Sequence, residues 1–326
     1  MVNVRLYEKL TDRYREHIGW IRYIPAMRRI NKAVIACTEQ NSDCDLFYAL
    51  AGIGDTCYML CYLDELKKIS GKKTVVLTRG NLETLVRSYS GVDDIILISE
   101  KELAAMRAIA SHSEPDAAEE KENGNGYNWD VWKIVSGIKG ADSALNCVEA
   151  MRVYQYHLAE NAPVTYPDEA LAARYTTIKD FDIYRNAVIL NPYSYSLFID
   201  GIIEIFEQLA QKLREEGYAV YTNVVGKQEC IRGTLPLRCS ICDFYFVTQI
   251  SACVIGVRSG ILDFTVNNGA SYLVFYDNSR NGLYLKNYTL TGWKTDSRIC
   301  EMLVPPEHGP DFFAEIYRNI QLLIGR

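Results

Sequence analysis

Short apolar runs alternate along the chain with longer amphipathic stretches, and the alternation is played out twice. A short apolar run bounded by turn residues reads as a buried strand, whereas apolar positions three and four apart read as a helix. On that basis residues 46–50 form a first strand that runs directly into Ala51, Gly52, Ile53, Gly54 and Asp55. A helix over 56–69 follows, capped by Asp55 or Thr56 and closed by Gly71. Strands over 73–78 and 94–98 alternate with helices over 81–89 and 100–109. Residues 111–128 are acidic and rich in Gly and Asn, with almost nothing to bury, which predicts a flexible surface loop or a mobile lid. A helix over 141–160 and a proline-bearing hinge over 161–185 complete this half.

The pattern restarts at 187–190, a strand followed by Asn191 and Pro192. A long amphipathic helix over 199–216 stops at Gly217. A strand over 218–221 ends at Thr222 and Asn223, and a short apolar stretch surrounds Pro236. A helix over 243–249, capped by Asp243, leads into residues 252–278. These read as a strand (253–255), a loop (256–260), a helix (261–267) stopped by Gly269, and a strand (271–276). A closing helix covers 311–324. Two helices, 3–18 and 21–32, precede the first half. Short strands alternating with helices are the pattern of parallel sheets, so the fold class is α/β with two similar halves.

Composition narrows the function. The chain has 326 residues, 48% hydrophobic and 23% charged, enough for two packed cores. A net charge of −6 argues against nucleic acid as a partner. No apolar run is long enough to span a membrane, and the charged N-terminus lacks a leader-like apolar core, which predicts a cytoplasmic protein. The Arg-, Tyr- and Ile-rich helices before residue 33 are packing helices or a peripheral contact with a membrane or partner. The ten cysteines read as reduced core residues. Cys57 and Cys61 share a helix face, and Cys239 and Cys242 make a lone C-x-x-C without a second pair, so no metal site is expected. The four histidines form no motif.

Ligands of open parallel sheets bind at the carboxyl ends of the strands, and three such ends carry chemistry. Gly54 lets a ligand approach the backbone, and Asp55 beside it is a general base or only a helix cap. Asn191, Ser194 and Ser196 offer an amide and hydroxyls before the long helix, or form a plain polar loop. Arg258, Ser259 and Gly260 combine a cation, a hydroxyl and open backbone suited to phosphate oxygens. Asp263 caps its own helix, pairs with Arg258, or binds ribose or sugar hydroxyls. The oxidoreductase class is set aside, because no G-x-G-x-x-G with a following acidic residue succeeds any expected strand.

The Gly54-Asp55 step after the first strand and the Ser259-Gly260 turn late in the second half resemble motifs of GT-B glycosyltransferases. The closest group is the heptosyltransferase-like family 9 of bacterial surface-polysaccharide enzymes. The chain departs from that family's D-S-G-x-x-H pattern, with Arg258 at its Asp and Asp263 at its His. The resemblance implies two Rossmann-like domains facing a cleft, 45–165 on the acceptor side and 166–326 on the donor side, after a helical extension over 1–44. The last helix would pack back on the first domain. The implied activity is metal-independent, inverting sugar transfer from a nucleotide sugar to a glycan or lipid-linked acceptor, without a bound cofactor. Asp55 would act as the base, and the Arg258 loop would hold the pyrophosphate. Two alternatives stand beside it: a non-catalytic protein that binds nucleotide, glycan or partner, and a sugar-nucleotide epimerase or hydrolase.

Overall fold

The computed structural model describes residues 28–30, 32, 44–103, 145–195, 197–278 and 283–325. The expected helix 3–18, most of helix 21–32, the loop 111–128 and Ser196 lie outside the described residues.

The first half is a parallel sheet of β1 (Cys44–Ala49), β2 (Lys73–Arg79) and β3 (Asp94–Ile98), in that spatial order. Between β1 and β2 the sequence predicts one helix, but two form, α1 (Ile53–Leu60) and α2 (Leu63–Ser70). The break has a visible cause. Thr165 on the connecting segment donates its N–H to the Cys61 carbonyl at 2.6 Å, and its hydroxyl accepts the Asp64 N–H at 3.0 Å. Gly71 ends α2 in the left-handed conformation, as expected. After β2 the chain makes a 3-10 turn and α3 (Glu83–Arg87). The helix expected over 141–160 is shorter in the described residues. α4 (Cys147–Ala150) widens into a π turn, Met151–Gln155, in which Tyr156 N–H bonds the Met151 carbonyl.

The segment expected to be a hinge is laced to both halves. It contains α5 (Glu169–Ala173), and Asp168 N–H bonds the Ser88 carbonyl at 2.6 Å. Thr177 and Ile178 then give their N–H groups to the Asp243 carboxylate.

The second half is a six-stranded parallel sheet in the order β6-β5-β4-β7-β8-β9. Its strands are β4 (Val188–Asn191), β5 (Val220–Asn223), β6 (Leu235–Leu237), β7 (Cys253–Val257), β8 (Ser271–Asp277) and β9 (Arg298–Val304). Counted from β4 the order is 3-2-1-4-5-6, that of dinucleotide-binding folds, with its switch point between β4 and β7. Pro236 sits on the edge strand, where a missing donor is tolerated. The helices are α6 (Ile202–Glu215), α7 (Ile241–Ile250), α8 (Gly260–Thr265), α9 (Leu283–Tyr288) and α10 (Pro310–Leu323). α6 begins later than expected because Gly201 is left-handed. The cap of α7 is Ser240, with Asp243 as its reciprocal partner, instead of Asp243 alone.

Alternation along the strands sorts the apolar side chains into three layers. Leu46, Val75 and Leu77 face outward with Ile30 and Leu103. Phe47, Val76, Ile189, Val254, Tyr272 and Val274 share one continuous core with α1, α2, α7 and α8, so that core joins the two sheets. Val188, Leu190, Ile255, Leu273 and Phe275 face the other way, against α6 and α10. Among the described residues the apolar side of the last helix, Ile316, Ile320 and Leu323, is buried with second-half residues, and Ser271 Oγ donates to the Leu323 carbonyl. No described helix is long and apolar enough to cross a membrane.

Candidate functional site

The two motif turns meet. α1 and α8 abut at their first turns, where only glycine fits: a Cβ on Gly260 would lie 2.3 Å from Gly54 N, and one on Gly54 would lie 2.8 Å from Asp263 Oδ2. Asp55, half-buried in the first turn of α1, accepts the Gly52 N–H at Oδ2, 3.1 Å away. The helix-cap reading of Asp55 is therefore realised. The base role needs only that the carboxylate also reach a substrate proton.

Arg258 departs from expectation. It is 4% exposed, and its guanidinium points into the protein. Nε donates to the Tyr288 carbonyl (2.7 Å) and Nη1 to the Ser259 carbonyl (2.7 Å). Nη2 donates to Tyr58 Oη (2.8 Å) and Asp263 Oδ1 (2.6 Å). Tyr58 in turn donates to Asp263 Oδ1, as does Trp293 Nε1 at 2.9 Å, and the Tyr58 ring stacks on Trp293. Of the three readings of Asp263, the pairing with Arg258 is the one formed. Burial is the largest influence on the Arg258 cation and disfavours it, but Asp263, Tyr58 and Tyr276 together outweigh it and hold the guanidinium pKa above its ordinary value. Burial raises the Asp263 carboxyl, against the pull of Arg258, Trp293 and Tyr58. This geometry lends the pyrophosphate-clamp role expected for Arg258 no support, because four of its five N–H donors are engaged in a buried strut between α1, α8 and the 288–293 segment.

The residues that close β4 and β5 are neutral. Asn191, 3% exposed at the end of β4, donates from Nδ2 to Ser259 Oγ at 2.8 Å, and Asn223 at the end of β5 donates to Asn191 Oδ1 at 2.9 Å. Gly256 on β7 leaves Asn191 its room, since a Cβ there would come within 3.1 Å of Asn191 Cβ. Ser194 Oγ is buried without a hydrogen-bond partner among the described residues. The structure thus brings Gly54, Asp55, Gly260 and Asp263 together at one junction and Asn191 and Ser259 together at the switch point; Arg258 is turned inward and Ser196 is not described. Sequence reasoning passed over Asn223, Tyr58 and Trp293 as site neighbours. A polar residue closing an apolar strand was the available signal for Asn223, whereas nothing local marks Trp293. Among the described residues no three His, Cys, Asp or Glu side chains gather as a metal site. A shallow polar hollow between α6 and residues 232–233 involves none of these residues.

No protein-family model matches the chain, and no curated protein matches it in sequence. Solved structures do match in fold. The family 9 glycosyltransferase of Veillonella parvula superposes with a TM-score of 0.56 at 9% identity, over 87% of this chain and 97% of that one. The E. coli heptosyltransferase WaaC with ADP gives 0.56 at 15% identity, over 86% and 99%. The E. coli ADP-heptose lipopolysaccharide heptosyltransferase II gives 0.53 at 10% identity, over 86% and 98%. The resemblance read from the motifs therefore holds for the fold, which these family 9 and heptosyltransferase structures share over 86–87% of the chain.

Proposed function

We propose that the chain moves a sugar from a nucleotide-sugar donor to a glycan or lipid-linked acceptor. The observation that carries this reading is the junction of Gly54-Asp55 with Ser259-Gly260, at strand ends of a fold shared over 86–87% of the chain with enzymes of that class. The donor would lie against the second sheet, at the switch point, contacted by Asn191, Ser194, Ser196, Ser259 and the backbone of Gly54 and Gly260. Asp55 would take the proton of an acceptor hydroxyl as its oxygen attacks the anomeric carbon. As that bond forms, the bond from the carbon to the phosphate oxygen breaks, its electron pair stays on the oxygen, and nucleoside diphosphate leaves. In this reading transfer is metal-independent and inverting, residues 45–165 serve the acceptor and 166–326 the donor, and Asp263 acts by holding the junction.

The test is release of nucleotide from a panel of sugar donors (the diphosphate from UDP-, GDP- and ADP-sugars, CMP from CMP-sugars), with and without lipid or glycan acceptors. Asp55→Asn is expected to lower turnover by roughly 10²–10⁴-fold while leaving nucleotide affinity unchanged. Undiminished turnover removes Asp55 as base. A second reading, a non-catalytic nucleotide- or glycan-binding protein, draws on the inward-turned Arg258 and on the absence of Lys or Arg from residues 191–203. Without a cation at those positions, a leaving diphosphate must be stabilised by hydrogen-bond donors or by charges from elsewhere in the chain. Nucleotide binding with no turnover on any acceptor would favour it.

A further inference from the structure

The carboxyl ends of β5, β4 and β7 are neighbours in the sheet, and each leads to one polar residue: Asn223, Asn191 and, two positions past Val257, Ser259. Their side chains form a chain with a direction. Asn223 Nδ2 donates to Asn191 Oδ1 (2.9 Å), and Asn191 Nδ2 donates to Ser259 Oγ (2.8 Å). Asn223 and Asn191 are 6% and 3% exposed, so bulk water is kept from the bond between them, and bonds in such a setting reinforce one another. A primary amide donates at one end and accepts at the other, so the polarity at Asn223 dictates the polarity at Ser259. The Ser259 oxygen receives a proton from Asn191, and its own hydroxyl hydrogen is left to point onward. Among the described residues Ser259 Oγ donates to none, and it does not cap α8. Ser259 is half-buried, so the hydroxyl is within reach of a ligand.

We infer that Asn223 is a positioning residue: through Asn191 it fixes the Ser259 hydroxyl as a hydrogen-bond donor to an oxygen of a ligand bound at the β4–β7 switch point. The ligand oxygen that suits a donor-only contact is one that carries no hydrogen, such as a phosphate oxygen. The inference rests on the nucleotide-sugar reading and assigns this contact to the nucleoside diphosphate part of the donor. The contact is neutral, so selectivity comes from the direction of the proton and not from charge.

Asn223→Asp tests it with little change of shape. An ionised carboxylate only accepts, so the Asn191 amide must turn over, giving Nδ2 to residue 223 and Oδ1 to Ser259. Ser259 then donates inward, and its outward donor is lost. Calorimetric titration with ADP, UDP, GDP and CDP is expected to show the nucleotide bound by the native protein binding about 10- to 100-fold more weakly, the loss of one hydrogen bond to a charged oxygen. Ser259→Ala should lose a similar factor, and adding Asn223→Asp to it should cost nothing more. A penalty that persists in the Ser259→Ala background marks a merely structural role and overturns the inference.

The second readout needs no ligand. The Asn191 side-chain amide protons should show NMR contacts to the Ser259 β protons in the native protein, and to the β protons of residue 223 in Asn223→Asp. An amide that does not turn overturns the inference. Should the aspartate variant fail to fold, Asn223→Leu frees the Asn191 amide without adding charge; it should give a smaller weakening that is also absent in Ser259→Ala. If the native protein binds none of the nucleotides, the nucleotide-sugar reading fails and the ligand assigned here fails with it, while the amide contacts alone decide whether Asn223 orients Ser259.

Discussion

Replacing Arg258 by Met separates two roles for that side chain, internal strut and phosphate clamp. Arg258 and Asp263 are 4% and 1% exposed, with 2.6 Å between Nη2 and Oδ1. Removing the cation leaves the Asp263 carboxylate buried with only Tyr58 and Trp293 as donors. Breaking a buried pair from one side costs about 3–5 kcal/mol. At about 2 °C per kcal/mol for a chain of this length, Tm falls by roughly 6–10 °C. The pH dependence has a definite sign. Burial already raises the Asp263 carboxyl above its ordinary 3.8, and loss of Arg258 raises it further. A carboxyl whose folded pKa is raised is neutral and unpenalised below its unfolded value; the penalty grows as pH rises towards the folded value. The variant should therefore lose least near about pH 4 and most near about pH 7. Urea unfolding followed by Trp fluorescence, without nucleotide, measures both. Arg258→Met with Asp263→Leu should recover most of the loss, since no unpaired charge remains. A loss below about 1 kcal/mol that does not vary with pH would refute the strut and return Arg258 to the ligand.

Three further outcomes follow from named contacts. Gly260→Ala drives a Cβ to 2.3 Å from the Gly54 backbone nitrogen, so α1 and α8 must part; a loss of about 1–3 kcal/mol or more is expected in the same urea assay, against little change for Gly309→Ala, whose Cβ meets nothing within 4 Å. Asp243→Ala deletes five hydrogen bonds, to Thr177 N and Oγ1, Ile178 N, and Ser240 N and Oγ. Each buried donor left without a partner costs about 1–3 kcal/mol, and thermolysin should then cut within residues 174–180 faster than in the native protein. The Arg29 guanidinium, with Ser99 adding further hydrogen bonds, holds the Glu102 carboxyl at about 2 against an ordinary 4.5, although burial opposes it. A depressed carboxyl stabilises above its unfolded value, so this contribution is lost as pH falls from 4.5 towards about 2, and Glu102→Gln should flatten that part of the stability curve.

Strand-level order was legible because short apolar runs stand out between polar turns: 73–78, buried on both faces, and 94–98, buried only at Ile98, were each located within a residue of their observed ends. β9 was missed because Arg298, Cys300 and Glu301 break its apolar pattern; Glu301 is spent on Tyr276, Thr289 and the Leu290 N–H, partners distant in sequence. The α1–α2 break was illegible for the same reason, since Thr165 makes it from about a hundred residues away. The site divides likewise. Gly54, Asn191 and Gly260 were found because turns and strand ends announce themselves locally. The orientation of Arg258 was not, because an arginine after a strand carries no sign of the tyrosine, aspartate and tryptophan that turn it inward.

The same turn serves opposite ends. Gly260, stripped of a side chain, brings the second half against the first, while Ser259, one residue earlier, faces the switch point through Asn191. The backbones of Gly54 and Gly260 are too close to admit a ligand between them; in the proposed reading the donor would lie beside that junction, over the ends of β4, β5 and β7. Asp55 can serve such a ligand only from the exposed side of α1, next to Gly52, whose N–H it already accepts. An acceptor hydroxyl would compete with that N–H for Oδ2. If the junction is rigid, Asp55→Asn and Gly260→Ala differ in kind: the first removes turnover with the fold intact, and the second loses turnover only in proportion to the folded fraction. Turnover per folded molecule that falls in Gly260→Ala, with nucleotide affinity unchanged, would show instead that the distance between the halves is itself part of the catalytic geometry.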